Sequence, residues 1–147
     1  MKKVNLVKEK NVSVFKARCG SCFHDFEMPQ LSAMQSYGEY IFSSEDGKVY
    51  AYAHAFSASS KLIQVILPKD IGAENFQVAL AGLADRILGR SMTNRKHCPN
   101  CHSTSTSALD TKVGEWSIPE VQYSGLISMD RDDVIEHVLN FAKENFS

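Results

Sequence analysis

Apolar and polar residues alternate over several short stretches of the chain, a pattern that is typical of half-buried β-strands. Residues 12–19 and 23–28 alternate in this way, and we expect them to form a hairpin. Residues 39–43 and 48–56 predict a second hairpin, because Asp46-Gly47 between them favours a tight turn. The first half of the chain is therefore expected to be mainly antiparallel sheet.

Two longer segments carry apolar residues at helical spacing. Residues 71–88 have such a stripe, with Asp70 as the expected N-cap and Gly89 just beyond the end. Residues 131–145 have a second stripe and an acidic first turn, which complements the helix dipole. The pattern predicts a helix over each segment.

Shorter segments are expected to connect these elements. Residues 57–60 are small and polar and predict a loop, whereas residues 62–67 are apolar and predict a short strand. Residues 115–118 and 121–123 predict two further short strands, separated by Pro119.

The four cysteines of the chain lie in two CxxC pairs, Cys19 with Cys22 and Cys98 with Cys101. A CxxC turn directs two thiolates and its own N–H groups at one point, and two such turns complete a tetrahedron of sulfur ligands. Soft thiolates in this geometry favour one structural Zn²⁺. Four protein ligands leave no open position for water or substrate, so the motif predicts a metal without a catalytic role.

Other chemistries of paired cysteines remain open at this point. Four thiolates also hold iron, alone or in an Fe–S cluster. Paired disulfides need an oxidising compartment, and a redox CxxC needs a strand before it and a helix after it. The residues after Cys22 alternate as far as Pro29, which predicts a strand instead of that helix.

The segments Phe15-Lys-Ala-Arg-Cys-Gly-Ser-Cys-Phe-His-Asp-Phe26 and Lys96-His-Cys-Pro-Asn-Cys-His102 resemble the knuckles of the zinc-ribbon and rubredoxin-like group. The spacing departs from a compact ribbon, because 75 residues separate Cys22 from Cys98. We therefore predict an α+β fold: a four-cysteine zinc ribbon with an inserted small antiparallel sheet and helix, and a C-terminal helix. The expected single zinc-binding domain spans residues 1–147, with knuckles at 12–28 and 95–104, an insert at 29–94 and a C-terminal helix at 130–146.

The composition is that of one globular domain, with 147 residues, 44% of them hydrophobic and 22% charged. Apolar stretches are too short to span a bilayer, and the basic N-terminus is not followed by the apolar run of a signal peptide. We expect a soluble, cytoplasmic protein that keeps its thiols reduced and has no membrane partner.

The net charge of −1 conceals four blocks of alternating sign. Residues 1–18 and 86–109 carry charges of +5 and +4, and residues 19–85 and 110–147 carry −5 each. Both basic blocks lead into a CxxC pair, so a bound metal would bring them together. We expect them to offset the thiolate charge and to pair with the acidic C-terminal segment, and a phosphate-binding patch is the alternative.

One strand has two chemically different faces. Three alanines share one face, which would let the helix at 71–88 approach closely. The opposite face is aromatic and has three interpretations: a core layer under the C-terminal helix, a peptide-binding surface, or a platform on which nucleic-acid bases stack. The aromatic face consists of Tyr50, Tyr52, His54 and Phe56, and the alanine face of Ala51, Ala53 and Ala55.

Catalytic motifs are missing from the sequence. The five histidines do not fall at helical ligand spacing, and no Gly-rich phosphate loop or nucleophile elbow is present. His24 and His102 lie next to the CxxC pairs, where we expect them as neighbours of the sulfurs and not as ligands.

These features support three functional hypotheses. The leading one is a non-catalytic protein whose structural zinc supports the binding of another protein. The first alternative is a zinc ribbon that binds nucleic acid through the tyrosines and the basic residues; the second is an enzyme whose site is assembled from dispersed residues. The basic residues are Lys2, Lys3, Lys8, Lys10, Arg18, Arg95 and Lys96.

Overall fold

The computed structural model describes residues 8–31 and 38–146, so Lys2 and Lys3 lie outside the described residues. The described part is α+β, as predicted, with two three-stranded antiparallel sheets and four helices. In chain order the elements are β1 Glu9–Cys19, β2 Asp25–Gln30, β3 Glu39–Ser44, β4 Tyr50–His54, α1 Ala58–Ile66, α2 Ala73–Gly82, β5 Met92–Thr93, β6 Thr106–Pro119, α3 Ser124–Ile127 and α4 Arg131–Phe146.

The first sheet has the strand order β2-β1-β6. The predicted hairpin of β1 and β2 is confirmed, and its closing pair is Arg18 with Asp25. Residues 115–118 lie in a strand, as predicted, but this strand is β6, which has 14 residues and runs antiparallel to β1. The second short strand, predicted at 121–123, is wrong, because these residues form no strand. Most side chains of β6 are exposed, so its sequence lacks the alternation that a half-buried strand shows.

The second sheet has the strand order β4-β3-β5. The predicted hairpin of β3 and β4 is confirmed, with Ser43 opposite Tyr50 at the end next to the turn. In that turn the Ser44 hydroxyl accepts the N–H groups of Lys48 and Val49, at 3.2 and 3.0 Å. These bonds fix the conformation of the turn, which contacts the backbone of the second CxxC pair.

The predicted loop at 57–60 and strand at 62–67 are wrong, because these residues form α1. Ser57 is the N-cap, and its Oγ accepts the N–H of Ser60 at 3.2 Å. Ile63 is fully buried, but its neighbour Leu62 is exposed. A short apolar run is compatible with a strand or a helix, and here the serine cap and the burial of one helical face determine the outcome.

The helix predicted over residues 71–88 is shorter, since α2 covers only Ala73–Gly82. The residues after it are held by contacts distant in sequence: the Asp85 carboxylate accepts the N–H groups of Ser124 and Gly125, at 2.8 and 3.3 Å. These bonds satisfy N–H groups in the first turn of α3, and the Asp85 N–H donates to the carbonyl of Gln122 at 2.8 Å instead of to a helical carbonyl of α2. The C-terminal helix is confirmed as α4.

The two faces of β4 contribute to two separate cores. Ala51 and Ala53 are fully buried among residues of the helices, including Ile63 and Leu80. The tyrosines of the opposite face pack with residues of the first sheet, including Val12, Met28 and Ile118. The interpretation of these tyrosines as a core layer is therefore correct, but the first sheet covers them and α4 does not. The helix α4 contacts α1 and α2.

Further along β4 the aromatic side chains are more accessible. His54 is half-buried and Phe56 is exposed, so the predicted face divides into a buried and an accessible half. Among the described residues, no helix combines the length and the apolar character required to cross a membrane.

The alanine face can be tested by overpacking. We expect Ala53→Leu to lower the free energy of unfolding by about 1–3 kcal/mol, because the extra carbons have no space between β4 and the helices. The matched control is Ala108→Leu on the exposed β6, for which the change should stay within about 0.5 kcal/mol. Urea unfolding measures both variants, and equal losses would contradict the buried position of Ala53.

Candidate metal centre

The first CxxC pair forms the turn between β1 and β2. Cys19 ends β1, and its carbonyl accepts the N–H of Phe23 at 3.0 Å while its own N–H donates to the carbonyl of His24 at 3.0 Å. The N–H groups of Ser21 and Cys22 point at the Cys19 sulfur, at 3.3 and 3.4 Å. This turn is a knuckle that presents sulfur and N–H groups on its inner side.

The second CxxC pair has the same backbone geometry. The Cys98 carbonyl accepts the N–H of His102 at 2.9 Å, and the Cys98 N–H donates to the carbonyl of Ser103 at 2.8 Å. The N–H of Asn100 points at the Cys98 sulfur at 3.3 Å. Phe23 and His102, which each follow the second cysteine of a pair, both have left-handed backbone, with φ of 61° and 66°.

The two knuckles face each other, and all four sulfurs lie within 4.8 Å of one another. The Sγ atoms of Cys19 and Cys101 are 3.5 Å apart, and those of Cys22 and Cys98 are 3.7 Å apart. A tetrahedron with metal–sulfur distances of about 2.3 Å has edges of about 3.8 Å. All four cysteines are free thiols, so the arrangement fits a single metal ion.

Hydrogen bonds also join the knuckles directly. The hydroxyls of Ser21 and Ser103 are 2.8 Å apart, and the Gly20 N–H donates to the carbonyl of Ser105 at 2.6 Å. A Cβ on Gly20 would lie 2.6 Å from the Ser105 hydroxyl, which can rotate away, and 3.2 Å from the Ser105 carbonyl oxygen, so the close approach of the two turns favours glycine at this position.

The pKa values of the thiols differ within the four-sulfur group. N–H donation, chiefly from Cys22, lowers the pKa of Cys19 to about 6, and the Asn100 side chain lowers that of Cys22. The Ser103 N–H also lowers the pKa of Cys101, but desolvation and proton sharing with the other three thiols outweigh it and raise this pKa to about 12. A metal ion that binds all four sulfurs would therefore have to displace the Cys101 proton.

The β3–β4 turn supports the second knuckle. Asp46 accepts the Ser44 hydroxyl at 2.6 Å and the Arg90 guanidinium at 2.8 Å, and chiefly the arginine holds the pKa of this carboxyl well below its usual range. A Cβ on Gly47, whose φ is 70°, would collide with the backbone carbonyl of His97 and lie 2.9 Å from the Pro99 nitrogen. The insert thus positions Cys98 through direct backbone contact.

His97 is a supporting residue that no motif of the sequence indicates. Its Nδ1 lies 2.9 Å from the carbonyl of His102, which can only accept, so Nδ1 carries the proton. Its Nε2 lies 3.0 Å from the hydroxyl of Thr93. The ring therefore connects β5 to the second knuckle and holds the turn closed.

The two histidines next to the knuckles are not part of the four-sulfur group. His24 stacks on Phe26, with ring centroids 6.5 Å apart, and His102 is exposed. Tyr50, by contrast, lies near the centre: burial and the charge of Cys98 raise its pKa to about 12, and its buried hydroxyl has no hydrogen-bond partner among the described residues.

The basic residues near the knuckles are engaged by acids of the insert and of β2, and the expected pairing with the C-terminal segment is not seen among the described ion pairs. Arg95 pairs with Glu74 at 2.7 Å. Lys96 donates to the side-chain carbonyl of Gln30 at 2.7 Å, and burial lowers its pKa to about 8. The other pairs are Arg18 with Asp25, Arg90 with Asp46 and Lys10 with Glu39.

Comparisons of the chain with protein-family models, with curated proteins and with solved structures found no match. No relative therefore supplies a metal or a role for the four cysteines. The sulfur geometry, the free thiols and the N–H donors around them are what characterise the site.

The contact between the β3–β4 turn and the second knuckle predicts a difference between two glycine substitutions. Gly47→Ala should lower the free energy of unfolding by clearly more than the roughly 1–2 kcal/mol of a left-handed alanine, because its methyl group also meets the knuckle backbone. Gly89→Ala is the control, since Gly89 has a φ of 76° but nothing within 4 Å of the added carbon. Urea unfolding of the metal-loaded proteins measures both, and equal losses would mean that the turn does not support the knuckle.

Proposed function

We propose that Cys19, Cys22, Cys98 and Cys101 hold one structural Zn²⁺ in a zinc ribbon, and that the chain is a non-catalytic cytoplasmic protein that binds another protein. The observation that carries this proposal is the four-sulfur group, whose members lie within 4.8 Å of one another. Four protein ligands complete a tetrahedral shell and leave no position for a substrate, which favours a structural metal.

The spacing of the sulfurs supports a single ion over a cluster. An Fe–S cluster places several atoms between cysteine sulfurs bound to different irons, which need a wider spacing than the 4.8 Å within which all four sulfurs lie here. One iron ion fits the same tetrahedron, but zinc is the usual occupant of two CxxC knuckles in a reducing compartment.

The role proposed for zinc is to close the chain around its insert. The 75 residues between Cys22 and Cys98 form a loop whose two ends the ion would join. Joining them restricts the unfolded chain, and metal bound only in the folded state adds its binding free energy to folding. The zinc would therefore act on stability and on the position of the insert.

A cleft of about 420 Å³ next to β4 is lined by several polar side chains, which makes it the candidate position for an enzyme site. Its histidine, His54, uses Nδ1 to accept the N–H of Phe56 at 3.1 Å. Glu39 pairs with Lys10, and the Ser57 hydroxyl bonds that of Ser60 at 2.9 Å. None of these contacts joins a nucleophile to a base, which supports a non-catalytic role.

The burial of the tyrosines supports a protein partner over nucleic acid. Tyr50 and Tyr52 are only 7% and 8% exposed, so a base cannot stack on them without unpacking the sheet interface. Arg95 and Lys96, the basic residues closest to the second knuckle, are already bonded to Glu74 and Gln30.

The metal is tested on protein purified under reducing conditions. We expect about one zinc per chain by elemental analysis, and a cobalt-substituted form with the absorption of tetrahedral thiolate ligation. A thiol reagent should react with all four cysteines quickly only after a chelator removes the metal. Freshly reduced protein without metal, or with iron in place of zinc, would contradict the assignment.

The control for this test removes one ligand. Cys98→Ser should lower the free energy of unfolding by several kcal/mol, since it weakens a site that contributes to folding. A chelator should then lower the melting temperature of the wild type but change that of the variant little. If the chelator affects both equally, the ion that it removes is bound elsewhere.

The nucleic-acid alternative is tested with a labelled single-stranded oligonucleotide. We expect weak binding at low salt that is lost near physiological salt, because few basic groups are available to displace counterions. Anisotropy titrations at both salt concentrations measure it, with Arg95→Glu as the charge variant. Sub-micromolar affinity at physiological salt would make nucleic-acid binding the leading function.

A further inference from the structure

An apolar groove of about 850 Å³ runs along α1 and the segment that connects it to α2. It is made entirely by residues of the insert, at a place in the chain separate from both knuckles. Its apolar lining consists mainly of Tyr40, Phe56, Val65, Leu67, Ile71 and Phe76.

The groove has a buried floor and an accessible apolar wall. Leu67 forms part of the floor and is only 3% exposed, whereas Val65 on α1 is 81% exposed. The helix α1 uses Ile63 for the core and leaves Leu62 and Val65 outside it. Contiguous apolar surface of this kind on a folded protein marks a site of interaction.

The charged residues of the groove are both lysines. Lys61 and Lys69 border it, and neither side chain has an ion-pair or hydrogen-bond partner among the described residues. Of the acids in this segment, Glu74 is paired with Arg95, and Asp70 does not line the groove. The groove thus combines an apolar interior with two unpaired positive charges at its border.

We infer that this groove docks an acidic amphipathic helix of a partner protein, an inference that rests on the proposed protein-binding function. Apolar side chains on one face of such a helix would fill the groove, and flanking Asp or Glu residues would meet Lys61 and Lys69. A basic helix would place like charges against these lysines, so the unpaired charges select the sign of the partner.

The probe is a fluorescein-labelled synthetic helix of about 16 residues, with Leu and Phe at helical spacing and Glu and Asp elsewhere. A second peptide keeps the apolar residues and replaces each acid by Lys. Anisotropy titration of the zinc-loaded full chain should give at least about tenfold tighter binding of the acidic peptide. Equal affinities would overturn the proposed role of the lysines.

Two pairs of variants place the binding in the groove. Val65→Asp should weaken the acidic peptide about tenfold or more, while Leu88→Asp should not, since Leu88 is similarly exposed at 79% but lies outside the groove. Because both side chains are exposed, neither change should affect folding, and the melting temperature verifies this.

The second pair reverses charges. Lys61→Glu combined with Lys69→Glu should reverse the preference, so that the basic peptide binds more tightly. Lys16→Glu combined with Lys48→Glu changes the net charge equally at exposed sites outside the groove and should keep the acidic preference. A loss of preference in both double variants would show that net charge selects the peptide, and the groove assignment would then be wrong.

Three further outcomes would overturn the inference. They are no binding of either peptide, binding that Val65→Asp does not weaken, and a concentration-dependent dimer that Val65→Asp abolishes, which would make a second copy of the chain the occupant.

Zinc content and capture of partners from extracts of the source cell are measured on the same samples. A zinc-loaded chain that captures the same protein with and without Val65→Asp would leave the proposed function standing, whereas a chain without zinc and without a captured protein would overturn it.

Discussion

The antiparallel pairing of β1 with β6 is the constraint on which the rest of the structure depends. It places Thr106 opposite Cys19, so the residues just before β6 must lie next to the turn that follows β1. The second knuckle occupies those residues, and Cys98 and Cys101 therefore meet Cys19 and Cys22. Strand pairing and the approach of the two knuckles thus favour the same closure of the chain, which is the agreement between local and global preferences expected of a well-specified fold.

The strand β4 connects the two halves of the molecule because its alternate residues face different cores. The alanines allow α1 and α2 to approach, and the tyrosines pack against the sheet that ends in the first knuckle. Gly47 adds a direct backbone contact between the insert and the second knuckle. Since the insert contacts the metal centre through side chains and backbone, a change at the cysteines should reach the insert through packing as well as through chain closure.

The features that could be predicted from the sequence are those that residues close together in the chain determine. The CxxC pairs act through the spacing of residues three apart, and both hairpins follow from alternation and a turn, so these features could be found. The strand β6 could not be predicted in this way. It has no buried face that would show as alternation in the sequence, and it is defined by its pairing with β1. The residues after α2 are held by a contact with the first turn of α3, about forty residues later, and the helical nature of α1 depends on the burial of Ile63.

Charged side chains near the knuckles differ from those at the α1 groove in whether they form ion pairs within the chain. Around the knuckles Arg18, Arg90 and Arg95 are each paired with a carboxylate, which leaves little charge for a partner there. At the α1 groove the lysines are unpaired and the neighbouring surface is apolar. An intramolecular ion pair must be broken before its members can bind elsewhere, whereas an unpaired lysine loses only its hydration. Binding at the proposed groove would therefore cost less, and a metal held by the four cysteines would serve it by holding the insert in place.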